Sequence, residues 1–131
     1  MTDNVFAPPE TEATAPFWEA ARTGRFVLPR CRSCSEFFHY PRLFCPFCGA
    51  SDPDWQEVSG KAQVYSYTIV PLRMRPVPDE WPVPYVVALV ELDEGPVLMS
   101  NVVGCAPEDV HIGMPLQVTF GDADVPVFRP A

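Results

Sequence analysis

A chain of 131 residues, 47 % of them apolar, is long enough for one ordinary domain or two small units with a packed core. Its net charge of −8 and pI near 4.5 are the reverse of the basic balance of nucleic-acid binders, so neither DNA nor RNA is expected as the main partner. Met1 to Glu12 has neither a basic start nor an apolar run, and no stretch of 18 apolar residues occurs, so no signal peptide and no membrane span are expected and the chain reads as cytoplasmic.

Residues 1–13, with Pro8-Pro9 and scattered acids, read as a flexible tail. A helix of about two turns is expected next, a length marginal in water unless it packs. Pro16 suits its first turn, Phe17, Trp18, Ala20 and Ala21 sit at helical spacing, and Gly24 stops it. Phe26-Val27-Leu28 reads as a short strand. It leads into Cys31-Arg32-Ser33-Cys34, and Cys45-Pro46-Phe47-Cys48 follows after ten residues. Two CxxC pairs bend four thiolates toward one point, the cage of a structural zinc site. A reducing compartment favours metal ligation over disulfides here. Iron is the other metal that takes four thiolates. Between the pairs, Phe37-Phe38-His39-Tyr40 reads as an aromatic hairpin, with His39 an ordinary hairpin residue because four sulfurs already complete the cage.

Ser51 to Pro53 is a polar joint. Beyond it the apolar period changes to two. Strands are expected over 62–70, 85–92, 97–103, 116–120 and 125–128, with a hairpin turn at Asp93-Glu94-Gly95 and a proline-rich loop over 71–84. Seventeen prolines against seven glycines agree with short strands and rigid loops rather than long helices. The fold class expected is therefore mainly β: a short N-terminal helix and zinc ribbon over 14–53, then a five-stranded OB-fold barrel over 54–131.

Charge is unevenly placed. Arg22, Arg25, Arg30, Arg32 and Arg42 face only Glu36 within residues 22–42, a local balance of +4. Guanidinium forks match phosphate oxygens, so this stretch is a candidate phosphate site, with a solvated ribbon surface as the plain alternative. Trp and Arg are favoured interface anchors, which singles out Arg73, Arg75 and Trp81 in the proline loop; Phe17 and Trp18 form a second candidate contact surface. Cys105 ends an apolar strand and reads as a small half-buried hydrophobe. No Gly-rich phosphate loop and no Ser-His-Asp set is visible, so no catalytic residue is assigned.

Several pieces together resemble a known family, the acyl-CoA-associated zinc-ribbon/OB-fold proteins. They are Phe17-Trp18-Glu19-Ala20-Ala21, Gly24-Arg25-Phe26, the two cysteine pairs with Tyr40-Pro41-Arg42 between them, Tyr65-Ser66-Tyr67-Thr68, the run Pro84 to Gly95, and Val127-Phe128-Arg129-Pro130. The resemblance implies a rubredoxin-like zinc ribbon and a non-catalytic accessory subunit, active only with a thiolase-like or lipid-transfer-protein-like enzyme in a hetero-oligomer. That partner would be an aldolase or thiolase acting on a hydroxyacyl- or ketoacyl-CoA, with steroid side-chain, lipid or aromatic catabolism as settings. It further implies acyl-CoA at or near the interface, which would give Arg25, Arg30, Arg32 and Arg42 a CoA-binding role. The alternatives are an acyltransferase or hydratase accessory subunit, a nucleic-acid-binding ribbon/OB module, and a stand-alone metal-redox protein.

Overall fold

The computed structural model describes residues 10–72, 83–120 and 125–131. Helix α1 spans Ala15–Ala21 with proline in its first turn. Phe17, Ala20 and Ala21 are buried, the i, i+3, i+4 stripe of a helix with one apolar face. At its end Gly24 takes φ +74° and the Arg25 amide donates to the Ala20 carbonyl, so glycine supplies the left-handed residue that reverses the chain.

The chain then enters β1 (Val27–Arg30), which pairs antiparallel with β2 (Asp54–Glu57) in a two-stranded sheet. Strand β2 was not expected. Its signal is weak: between Pro53 and Gly60 only Trp55 and Val58 are apolar, three positions apart, so no period of two appears. The ribbon sheet thus uses residues on both sides of the expected division at 53/54. The aromatic segment 37–40 forms no hairpin strand of its own. Phe37 makes an isolated bridge to Arg30, and Phe38 is buried against Cys31 and Cys45.

The other five strands close a barrel in the order β3 (Lys61–Val70), β4 (Tyr85–Leu92), β5 (Val97–Val102), β7 (Pro126–Pro130), β6 (Pro115–Phe120). This is the expected OB-fold. Closure uses a single parallel contact, Val102 against Phe128, and three antiparallel pairs between Lys61–Gln63 and Pro115–Gln117. A bulge between Val64 and Ser66 bends β3, as closed small barrels require. Gly60 has φ +77°, and a Cβ there would lie 2.3 Å from Val118 Cγ1, so only glycine lets β3 start beside β6. The Asp93-Glu94-Gly95 turn forms as expected, with the Gly95 amide donating to Leu92.

One core runs through ribbon and barrel. Leu28 from β1 is fully buried with Val64, Val90, Leu92, Leu116 and Phe128 from the barrel. Aromatic rings step across the junction edge to face: Trp18 on Phe17 at 5.0 Å, Phe17 on Phe26 at 6.2 Å, Phe26 on Phe128 at 6.2 Å. Phe17 therefore does not form the partner contact surface its exposure in a short helix would have offered. With 7 % of its surface exposed, it is buried in the chain's own core, and only half-buried Trp18 retains accessible surface. His39 closes the same cluster, its ring 5.4 Å from Phe17 and 4.3 Å from Tyr40. Its Nδ1 is buried without a hydrogen-bond partner, and burial pushes its pKa from 6.5 down to about 4.

Two consequences are measurable. Phe26→Ala removes the ring between Phe17 and Phe128 and is expected to cost about 3–5 kcal/mol in denaturant unfolding, still as one transition; separate ribbon and barrel transitions would contradict a shared core. His39 is neutral in the fold, so stability is complete above pH 6.5 and falls as pH drops from 6.5 toward 4, by about 2 kcal/mol at pH 5. In zinc-saturated urea titrations, His39→Phe is expected to lack that part of the fall. Parallel pH curves for the two proteins would refute the buried neutral imidazole.

Candidate metal centre and the groove beside it

Each cysteine pair forms the same local structure. Ser35 after the first pair has φ +65°, and its amide donates to the Cys31 carbonyl at 3.0 Å; Gly49 after the second has φ +80°, and its amide donates to the Cys45 carbonyl at 3.0 Å. The first cysteine's amide closes each knuckle, Cys31 onto Glu36 and Cys45 onto Ala50. The left-handed residue turns the chain so that both sulfurs of a pair face inward. Gly49 is the residue the sequence marks for that role; Ser35 takes the same conformation with a side chain.

The four sulfurs lie within 4.8 Å of one another. Cys31 Sγ is 3.5 Å from Cys48 Sγ, and Cys34 Sγ is 3.7 Å from Cys45 Sγ. Zinc–sulfur bonds of about 2.3 Å at the tetrahedral angle put sulfurs about 3.8 Å apart, so the cage has the size for zinc. Cys31 and Cys45 are buried, while Cys34 and Cys48 lie toward the surface. Backbone amides point at the buried pair: Ser33 and Cys34 N–H at Cys31 Sγ, and Phe47 N–H at Cys45 Sγ, each at 3.3 Å. The Cys34 amide leads in lowering the Cys31 thiol to about 6. The Cys34 thiol moves oppositely, to about 12: a backbone hydrogen bond at Glu36 favours its thiolate, but burial and the other three sulfurs outweigh it. Ionising all four sulfurs would put like charges within 4.8 Å of one another, which a divalent cation balances. The zinc is structural, because four protein sulfurs leave no position for a reacting water.

The basic stretch does not form one patch. Arg25 Nε donates to Glu57 Oε1 at 2.9 Å, and Arg22 pairs with Glu10. Arg30 donates to the Ser35 carbonyl and to Gln56 Oε1, with its guanidinium 4.9 Å from the Phe37 ring centre. Arg32 donates to the Asp52 carbonyl at 2.8 Å and lies 3.7 Å from Asp54. Asp54 is held below the usual carboxylate range, first by the Gln56 side-chain amide and then by Arg32. Of the four arginines expected to contact phosphate, only Arg32 and Arg42 come together, in an open groove of about 560 Å³ with Phe44, Trp55 and Asp54 along its walls. Arg42 makes no hydrogen bond or ion pair among the described residues. Arg73, Arg75 and Trp81 lie outside the described residues. Cys105 is half-buried against the barrel core, its thiol pushed up by burial and by Asp109. His111 is exposed, with its ring 3.2 Å from the Asp109 carbonyl.

Native protein is expected to carry one zinc per chain by elemental analysis and to be colourless; strong visible absorbance would mean iron. Because Leu28 ties the ribbon to the barrel core, stripping the metal with a chelator, or Cys45→Ser, is expected to lower the melting temperature by about 10 °C or more. An unchanged melting curve after metal loss would show that the cage does not hold the fold.

Comparison with known proteins gives the same architecture. Residues 18–54 match the family model of the ChsH2 rubredoxin-like zinc ribbon domain, and residues 55–121 match that of the ChsH2 C-terminal OB-fold domain. A probable enoyl-CoA hydratase alpha subunit of Thermomonospora curvata is 46 % identical over 120 residues, 88 % of this chain and 37 % of that protein. A DUF35 domain-containing scaffold protein of Methanocaldococcus jannaschii is 38 % identical over 93 residues, 70 % of this chain and 64 % of that one. The chain thus spans about a third of the first of these relatives and somewhat under two thirds of the second. A solved chain of an Ltp2-ChsH2(DUF35) aldolase superposes with a TM-score of 0.84 at 42 % identity, covering 95 % of this chain and 98 % of that one. With both domain models matched in order across the four-sulfur cage and the closed barrel, the chain belongs to the ChsH2-type zinc-ribbon/OB-fold family.

Proposed function

We propose that this chain is an accessory subunit that binds a thiolase-fold enzyme acting on a hydroxyacyl- or ketoacyl-CoA and helps to hold the CoA ester. The carrying observation is the likeness to the aldolase-associated chain, which extends over nearly the whole of both chains. The chain's own chemistry agrees with a supporting role. Its metal cage is closed, its buried histidine is neutral and faces aromatic rings, and its fifth cysteine is held in the thiol form by burial and by Asp109. Nucleophile, acid and base would come from the partner.

The groove beside the ribbon supports the second half of the reading. Arg42 is a guanidinium with no partner among the described residues, next to Trp55 and Phe44, a pairing of a phosphate fork with aromatic surface that suits a nucleotide-bearing coenzyme. Arg32 serves the groove's shape more than its charge, since it already holds Asp52 and Asp54. A second reading, the same role in a hydratase complex, is favoured by the identity to the Thermomonospora hydratase alpha subunit.

Co-expression with thiolase-fold enzymes, and separately with hydratase beta subunits, tests the first half: a stable, active complex with the former only is expected. In that complex Arg42→Glu is expected to raise KM for acyl-CoA about 10- to 100-fold with kcat within a factor of about two, the loss of a charge-assisted hydrogen bond of about 1.5–3 kcal/mol. Arg25→Glu, outside the groove, is expected to leave KM unchanged. Equal effects of the two variants would remove the groove from the CoA site.

A further inference from the structure

Strand β3 has neighbours on both sides only along its first residues. Lys61, Ala62 and Gln63 pair with β6, and Val64 exchanges hydrogen bonds with Met114 and Gly113. Beyond the bulge, Ser66 to Val70 pair with β4 alone. The opposite edge of this stretch has no neighbour among the described residues. Side-chain exposure changes at the same point. Up to Val64 the residues alternate between exposed and buried; from Tyr65 to Ile69 all are exposed, Tyr65 by 56 %, Tyr67 by 36 % and Ile69 by 39 %.

Such an edge is an aggregation hazard, usually blunted by lysine, proline or a covering segment. Two other edges are each met by a hydrogen bond from outside their sheet. The Met99 amide of β5 donates to Tyr40 Oη at 3.0 Å, and the Phe38 amide donates to the Pro29 carbonyl of β1. Tyr65-Ser66-Tyr67-Thr68-Ile69-Val70 instead carries no charge and no proline, and consists of aromatic, β-branched and hydroxyl residues that favour strands. We propose that the free β3 edge at 65–70 is the docking site for an extended strand of the partner enzyme, which joins the barrel sheet by main-chain pairing with its side chains against Tyr65, Tyr67 and Ile69.

The backbone groups decide the shape of the occupant. Every second residue of an edge strand leaves an amide and a carbonyl pointing outward, and only another extended segment satisfies such a row. Charge decides against a second copy of this chain: each carries −8, so two copies repel, whereas a neutral or basic partner strand does not. This inference rests on the accessory-subunit reading above.

The test uses the complex of the full chain with its thiolase-fold partner. Thr68→Lys and Ile69→Lys, each checked for full zinc content and an unchanged melting temperature, are expected to weaken that complex at least about tenfold. Hydrogen exchange on the unmodified chain gives a second measurement: the outward amides within 65–70, those that do not donate to β4, are expected to exchange quickly in the free chain and at least about tenfold more slowly in the complex. Wild-type affinity in both variants, or no slowing on binding, overturns the edge proposal while leaving the accessory reading standing. Failure of the wild type to bind any thiolase-fold partner overturns both. Slow exchange in the free chain, or concentration-dependent dimers lost in the variants, also overturns it, since the edge would then belong to the chain itself or to a second copy.

Discussion

The structure depends on how β1 is held. A two-stranded sheet of four residues per strand is too small to be stable by itself. Two things hold it: the four-sulfur cage immediately after Arg30, and the burial of Phe26 and Leu28 in the barrel core. The cage pins the loop at one end of β1, while the barrel takes the side chains at the other. Each constraint makes the other effective, because a ribbon without metal has no fixed surface from which to project Leu28, and a barrel without Leu28 and Phe26 leaves a gap beside Phe128. Helix α1 is then a lid on this junction. Its seven residues make a poor helix alone, but Phe17, Ala20 and Ala21 seal Phe26 from water.

The same junction explains why the arginines disperse. In the chain they are close together, and a count over residues 22–42 gives one basic segment. Folding places β2 beside β1 and brings Asp54, Gln56 and Glu57, with the Asp52 carbonyl, against them. These residues lie 20 or more positions beyond the arginines they meet, so no short local window contains both sides. Most of the positive charge is therefore spent on joining β1 to β2 and on shaping the second knuckle. What remains toward solvent is a narrower feature, Arg42 beside Trp55 and Phe44.

The closed metal site, the neutral buried histidine and the β3 edge that has no neighbour among the described residues agree with the accessory role proposed above. The groove beside the ribbon is open to solvent. The bulge at Tyr65 belongs to the same pattern. It is the bend that lets β3 serve the closed barrel with its first half, and it is also the point where the second half leaves β6 and becomes available.

The metal site was legible because its determinants are local. CxxC spacing sets which sulfurs can converge, Gly49 marks a left-handed turn, and neither needs the rest of the chain. The five barrel strands were legible for a similar reason: alternation such as Ala62–Val64 and continuous apolar runs such as Tyr85–Val90 reflect burial that each strand meets along its own length. Strand β2 was not, since four residues with one tryptophan do not make a period. Phe17 and Trp18 show the limit most clearly. Adjacent aromatics on a short helix read the same whether they face a partner or a core, and only the arrival of Phe26 and Phe128 from two other elements put Phe17 inside and left Trp18 half outside. By itself the sequence determined the metal cage and the five barrel strands, which are properties of spacing and periodicity, and carried the family through the resemblance of its motifs. The tertiary structure alone decided which aromatic is buried and, among the described residues, which arginine has no partner and which edge of β3 has no neighbour, because each depends on what a distant part of the chain contributes.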